Sequence, residues 1–150
     1  MFEQLLESPE VTQALGRRFA ELAVPGTVLS LNGPLGAGKT CFAQGVGRGL
    51  GIEGPITSPT FIICAVYPDA RLPLHHADFY RLGDSSELVE LGLDEVMGVE
   101  GVALIEWGDR FSEELPADHI RIAMEDRGEH ARYLRATAYG PRSARLLEAL

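Results

Sequence analysis

Residues 33–40 constrain the fold of this chain more than any other segment. They read GPLGAGKT and match the pattern Gly-x-x-x-x-Gly-Lys-Ser/Thr. The apolar segment 27–31 before them predicts a buried strand, and apolar residues four apart predict a helix over 39–50. In that context the glycines let backbone N–H groups converge on phosphate oxygens, and the helix N-terminus adds its positive dipole end. The segment therefore predicts a cradle for a nucleoside triphosphate.

The lysine and the threonine of this cradle have separate expected roles. Lys39 is the only lysine of the chain, and its ammonium is expected to reach the β- and γ-phosphates. The hydroxyl of Thr40 is expected to bind Mg²⁺. The predicted nucleotide-binding residues of the segment are Gly33, Leu35, Gly36, Ala37, Gly38, Lys39, Thr40 and Cys41.

Length and composition predict one soluble domain over residues 1–150. Of the 150 residues, 45 % are hydrophobic and 23 % are charged, which permits a packed core. No apolar run approaches the ~20 residues that span a bilayer. The acidic N-terminus lacks the basic region of a secretory signal, and the two cysteines form no metal or redox spacing. We therefore expect a cytoplasmic protein without membrane contact.

The formal net charge of −9 argues against direct binding of nucleic acid, because such proteins normally carry a basic patch. The densest basic stretch is the C-terminal segment 131–146, which contains Arg132, Arg135, Arg142 and Arg145. We interpret this segment as a solvated hairpin followed by a helix.

The remaining periodicity predicts an α/β domain. Its mixed, largely parallel sheet would carry antiparallel hairpins and be flanked by helices, as in P-loop NTPases. Strands are predicted at 27–31, 61–67, 72–82, 101–107, 119–125 and 132–139, and helices from residue 9, at 39–50, at 85–97 and from residue 141.

Two carboxylates are candidates for the metal partner of the cradle. Glu106 follows an apolar run and lies at the carboxyl end of a predicted strand, where α/β sheets bind ligands. Asp78 shares one face of its predicted strand with His76 and Tyr80. That face is either exposed to solvent or lines a site, and spacing alone leaves both open.

Three further features each admit more than one interpretation. His75 and His76 point to opposite faces of a strand, so we interpret them as one surface histidine and one hydrogen-bonded histidine, not as a metal pair. Trp107 packs in the core or stands at the mouth of the site. The loop that contains Ser58 and Thr60 either senses the γ-phosphate or forms an ordinary turn.

Motifs of several other nucleotide-using enzymes do not occur in the sequence. It contains neither the N-K-x-D string of GTPases nor the H-R-D and D-F-G strings of protein kinases. No arginine finger is identifiable: Arg81 and Arg110 lie near motifs, and a partner could also supply one. A small-molecule kinase and an ATP-gated interaction module remain alternatives to an ATPase.

Five motifs, in this order, resemble those of the TsaE family, the small bacterial P-loop ATPases of tRNA threonylcarbamoyladenosine synthesis. They read LGAGKT, TSPTF, HHADFYRL, ELVELGLDEV and LIEWGDR, and together they cover nearly the whole chain. The resemblance implies a compact P-loop α/β fold that binds and hydrolyses ATP with Mg²⁺. It also implies that Lys39, Asp78 and Glu106 are catalytic, and that Thr40, Glu106 and Asp78 lie at the metal.

The resemblance further implies contacts around the nucleotide. Ser58 and Thr60 would belong to a switch-like loop, and Trp107 would lie near the nucleotide. Thr12 and Gly128 would flank the adenine.

The resemblance also implies a partner. Members of the family are accessory proteins of the TsaB–TsaD complex, in which TsaD performs the transfer to tRNA. The acidic charge agrees with docking on a basic surface that tRNA also uses, so tight binding of tRNA by this chain alone is not expected. Pro34 and Cys41 depart from the residues common in the family, aspartate and a hydroxyl residue respectively.

Overall fold

The fold is described from a computed structural model, in which residues 1–56 and 64–150 are described. The predicted loop with Ser58 and Thr60 lies outside the described residues, as does the beginning of the predicted strand 61–67.

The strands of the described residues form one seven-stranded mixed sheet. Their bounds are β1 Phe2–Leu6, β2 Thr27–Asn32, β3 Cys64–Tyr67, β4 Leu74–Asp78, β5 Val102–Glu106, β6 His119–Asp126 and β7 Arg132–Tyr139. The order across the sheet is β1-β7-β6-β2-β5-β4-β3. The central pairs β6–β2, β2–β5 and β5–β4 are parallel, and the outer pairs are antiparallel. The predicted mixed α/β fold is confirmed.

Helices cover both faces of the sheet. Their bounds are α1 Pro9–Leu22, α2 Lys39–Gly49, α3 Ser86–Glu90, α4 Leu93–Val96 and α5 Pro141–Glu148. Alternation along β2 sends Leu29 to a core shared with α1, α2 and α5, and sends Val28 to a second core shared with α3 and α4. No helix in the described part of the chain is both long enough and apolar enough to cross a membrane.

Helix α1 begins where the sequence predicts it, and it packs closely on α2. The hydroxyl of Ser8 accepts a hydrogen bond from the backbone N–H of Val11, which caps the helix, and proline follows at the first helical position. Glycines line the contact between the two helices: a Cβ at Gly45 would lie 2.1 Å from the carbonyl oxygen of Gln13. This close approach joins the helix that begins at the phosphate cradle to the helix that carries Thr12.

We expect Gly45→Ala to destabilise the protein by about 2 kcal/mol, because a clash with backbone belongs at the upper end of the usual ~1–3 kcal/mol cost of overpacking. The added methyl group would force the two helix backbones apart, which outweighs the roughly 1 kcal/mol that alanine gains in helix propensity. Urea unfolding measures this change. Gly54→Ala is the matched control, because a Cβ at that position meets no atom of residues 1–56 or 64–150 within 4 Å. Equal stability of the two variants would contradict the packing described here.

Three local features differ from the sequence-based expectation. Strand β1, which pairs with β7, was not predicted, because its register depends on partners about 130 residues away. The predicted helix over 85–97 is two short helices, since Gly92 adopts a left-handed conformation between them. Strand β4 ends at Asp78, whose carboxylate accepts a hydrogen bond from the N–H of Tyr80 and starts a 3-10 turn.

Candidate functional site

The main cavity of the described residues lies at the carboxyl ends of β2, β4 and β5 and has a volume of about 590 Å³. The parallel register places Asp78 beside Glu106, and Leu31, just before the cradle, on the other side of Glu106. Three separate sequence motifs therefore meet in one place. The lining residues are Leu35, Gly36, Gly38, Lys39, Thr40, Cys41, Asp78, Tyr80, Arg81, Glu106 and Trp107.

The phosphate cradle has the backbone that its glycines predict. Gly38, the last residue before α2, has a φ of 97°, a conformation that residues with a Cβ rarely adopt. Lys39 follows at the first position of α2 and is only 6 % exposed. Its Nζ donates a hydrogen bond to the carbonyl oxygen of Gly33 at 2.5 Å and lies 3.7 Å from the centroid of the Trp107 ring.

Burial lowers the pKa of Lys39, and the nearby carboxylates of Glu106 and Asp78 raise it in part. The ammonium is therefore partly shielded from water. It would attract an anion in the cavity more strongly than a solvated ammonium would.

Glu106 is the most buried acidic group of the cavity. It is 3 % exposed, and its Oε2 lies 2.7 Å from Nε2 of His76, which is 1 % exposed. The prediction that one of the two histidines is hydrogen-bonded is thus confirmed. The interpretation of one surface histidine is wrong, because His75 is also buried, with Nε2 3.4 Å from a carboxylate oxygen of Glu100.

Asp78, the second carboxylate of the cavity, is half-buried. Burial raises its pKa, and the charge of Glu106 acts in the same direction. The N–H of Tyr80 and the charges of Lys39 and Arg81 oppose these effects without cancelling them. A raised pKa makes this carboxylate more basic than a solvated aspartate, as water activation requires.

Trp107 stands at the cavity, which decides between the two positions left open by the sequence. Its φ of 61° is the only positive value among the non-glycine residues that the structure describes. Its backbone N–H donates to the carbonyl oxygen of Leu31 at 2.8 Å, and its ring lies 5.1 Å from that of Tyr80. Gly108 permits this turn, since a Cβ there would lie 2.0 Å from Oγ of Ser30.

A second, smaller cavity of about 90 Å³ joins α1, the cradle and the β6–β7 hairpin. Of the two residues expected to flank the adenine, Thr12 lines this cavity and Gly128 does not. The carbonyl oxygen of Gly128 instead accepts a hydrogen bond from Nη1 of Arg132 at 3.2 Å. The lining residues are Pro9, Thr12, Gly38, Cys41, Glu129, His130 and Arg132.

The sequence-based interpretation of segment 131–146 as solvated is wrong for Arg132, which contacts the phosphate cradle. Its side chain is only 21 % exposed, and its Nε donates to the carbonyl oxygen of Gly36 at 3.1 Å. The concentration of arginine in 131–146 was the sequence feature that could have indicated this contact. Two other predicted contact residues lie behind the main cavity: Ala37 is fully buried, and Gly33 offers its carbonyl oxygen to Lys39.

The oxygen donors around the cavity fit Mg²⁺. The hydroxyl of Thr40 and the carboxylates of Glu106 and Asp78 line one space, and Mg²⁺ typically uses one or two carboxylates together with substrate phosphates. Within residues 1–56 and 64–150, no cluster of three or more His, Cys, Asp and Glu side chains is arranged to hold a metal. Such a cluster is not required when phosphates supply the remaining ligands.

We expect Cys41→Thr to tighten nucleotide binding by about three- to tenfold, the value of one neutral hydrogen bond. Cys41 lines both cavities, and its thiol lies 3.2 Å from the carbonyl oxygen of Pro9. A hydroxyl donates more strongly than a thiol. Titration with a fluorescent ATP analogue measures the change, with Cys64→Thr as control because Cys64 lines neither cavity. Equal or weaker affinity of Cys41→Thr would show that the thiol of Cys41 does not weaken nucleotide binding.

A comparison with models of known protein families identifies the family of this chain. The model of the Threonylcarbamoyl adenosine biosynthesis protein TsaE matches residues 6–134. The chain belongs to the TsaE family. The family name refers to biosynthesis of tRNA threonylcarbamoyladenosine, and the resemblance stated from the five motifs is thereby confirmed.

Individual TsaE proteins match over most of their length. The tRNA threonylcarbamoyladenosine biosynthesis protein TsaE of Bacillus subtilis is 45 % identical over 143 residues, which are 95 % of this chain and 89 % of that protein. Its counterpart in Streptomyces coelicolor is 42 % identical over 137 residues, 87 % of this chain and 92 % of that protein. The crystal structure of Bacillus subtilis YdiB superposes with a TM-score of 0.83 at 39 % identity, covering 99 % of this chain and 92 % of that one.

Proposed function

We propose that this chain is a Mg²⁺-dependent ATPase of the cytoplasm that serves tRNA threonylcarbamoyladenosine synthesis by acting on the TsaB–TsaD complex. One observation carries the proposal: the phosphate cradle, its lysine and two carboxylates line a single cavity at the carboxyl ends of the parallel strands β2, β4 and β5. Membership of the TsaE family supports the pathway.

In this proposal each residue of the cavity has a distinct role. The backbone N–H groups of the cradle and Lys39 hold the β- and γ-phosphates, and Thr40 and Glu106 hold Mg²⁺. The metal, when bound, neutralises charge that develops on the phosphate oxygens. Asp78 orients the attacking water, which its position beside Glu106 and its raised pKa favour.

The expected partner follows from charge and family. A net charge of −9 suits docking on a basic protein surface better than direct contact with tRNA. Direct tRNA binding is tested by filter binding at physiological salt, where tight binding of tRNA to this chain alone would contradict this assignment.

Reconstituted modification tests the accessory function itself. TsaB–TsaD supplied with an activated threonylcarbamoyl donor should modify more than one tRNA per complex only when this chain and ATP are both present. The Lys39→Ala variant should not support this repeated modification. Full modification with a non-hydrolysable ATP analogue would favour an ATP-gated interaction module. A phosphorylated small molecule among the products would favour a kinase.

A further inference from the structure

The main cavity contains a second cation, Arg81, which has no part in the mechanism proposed above. Lys39 and Arg81 are the two basic residues among the described lining residues. Lys39 is engaged by the carbonyl oxygen of Gly33 and the ring of Trp107. The guanidinium of Arg81 makes no hydrogen bond or ion pair with any residue of 1–56 or 64–150. It is therefore available to an anion in the cavity.

The backbone that carries Arg81 is fixed on both sides. Before it, the 3-10 turn Phe79–Arg81 is capped by Asp78, and Phe79 is fully buried. After it, Leu82 is 1 % exposed, and its N–H donates to the carbonyl oxygen of Phe79 at 3.2 Å. A guanidinium on an anchored turn loses less conformational entropy on binding than one on a free loop does.

Arg110, the other arginine close to the motifs, has a different function. Its Nη2 donates to the carbonyl oxygen of Leu82 at 2.8 Å, and its guanidinium lies 5.4 Å from the centroid of the Phe111 ring. It does not line the main cavity. Arg110 thus holds the segment that follows Arg81.

The charges that line the cavity explain why a second cation would help to bind a polyphosphate there. Asp78 and Glu106 place two carboxylates where a polyphosphate would lie, and Lys39 is otherwise the one basic residue among the described lining residues. A planar guanidinium can bind two phosphate oxygens at once, which an ammonium does not do.

We propose that Arg81 supplies, from within this chain, the guanidinium that stabilises negative charge on the γ-phosphoryl group during its transfer to water, and that Arg110 is a positioning residue for it. In that step the water oxygen bonds to the γ-phosphorus while the bond to the β–γ bridging oxygen breaks. The electron pair leaves with ADP, one proton of the water stays on the phosphate, and the other is released to solvent. The inference rests on the ATPase proposed above and removes the need for an arginine from the partner.

Two measurements on Arg81→Ala, Arg81→Lys and the unsubstituted chain test this role. Turnover in the presence of TsaB–TsaD should fall by about 10³-fold or more in Arg81→Ala, the range seen when an arginine finger is removed. Affinity for ADP should change by less than about threefold. The fluorescence of Trp107, the only tryptophan, reports that affinity.

A transition-state analogue separates this role from ordinary phosphate binding. ADP with aluminium fluoride should form a tight complex with the unsubstituted chain, and Arg81→Ala should lose that complex while it still binds ADP. Arg81→Lys should recover only part of it, because lysine lacks the planar fork. Arg17→Ala is the matched control, an exposed arginine of α1 that does not line the cavity.

The outcomes distinguish this inference from the function on which it rests. Partner-stimulated turnover within about threefold of normal in Arg81→Ala would assign the guanidinium to the partner. Parallel losses of ADP affinity and turnover would make Arg81 a ground-state phosphate ligand. Either result overturns the inference and leaves the ATPase standing. Absence of turnover and of the aluminium fluoride complex in the unsubstituted chain would overturn both.

Discussion

Glu106→Gln is expected to lower Mg²⁺-dependent ATP hydrolysis by at least about 100-fold, because metal stabilisation of the transferring phosphoryl group is worth several kcal/mol. The amide has the size of the carboxylate and can keep the contact with Nε2 of His76, so the fold should persist. It lacks the negative charge that Mg²⁺ requires. The variant should therefore bind ATP but not turn it over.

Turnover across a Mg²⁺ titration, alongside ATP affinity by calorimetry, measures this effect. Glu95→Gln, an exposed glutamate of α4 outside the cavity, is the control for loss of one negative charge. Normal hydrolysis by Glu106→Gln would contradict the metal assignment. The metal role would then pass to Asp78, the other carboxylate of the cavity.

Lys39→Ala is expected to weaken ATP binding by about 100-fold or more, since each hydrogen bond to a charged group is worth about 1.5–3 kcal/mol and we propose that the ammonium reaches two phosphates. Removal of the ammonium also takes away a positive charge that interacts with the carboxylates of Asp78 and Glu106. Their repulsion of the polyphosphate adds to the loss. Calorimetric titration with Mg²⁺–ATP measures the change in affinity, and circular dichroism checks the fold.

The single lysine allows a second measurement without any substitution. An amine-reactive acylating reagent has two targets in the protein, Lys39 and the α-amino group. Mg²⁺–ATP should protect Lys39 while the α-amino group reacts at an unchanged rate, which provides an internal control. Equal acylation of Lys39 with and without ATP would contradict the contact between its ammonium and the phosphates.

The sequence predicted most of the cavity because its residues follow local rules. A strand, a glycine-rich turn and a helix fix the cradle within about a dozen positions, and Glu106 lies where a buried strand ends. Parallel pairing then brings the ends of β2, β4 and β5 together. The depth of burial was underestimated for His75, because a strand covered on both faces does not alternate.

Residues that depend on distant pairing escaped prediction. Arg132 reaches the cradle only because β7 pairs with β6, which pairs with β2. Likewise, β1 is only five residues long, and its Glu3 finds Arg135 at 3.0 Å only in the folded sheet. Such contacts depend on topology, which spacing along the chain does not encode.

Hydrolysis of ATP, measured as phosphate release by this chain alone and with the TsaB–TsaD complex, tests the central claim most directly. We predict slow phosphate release by the chain alone and a clear stimulation by the complex that disappears in Lys39→Ala. ATP binding without any stimulation would contradict the partner-gated ATPase.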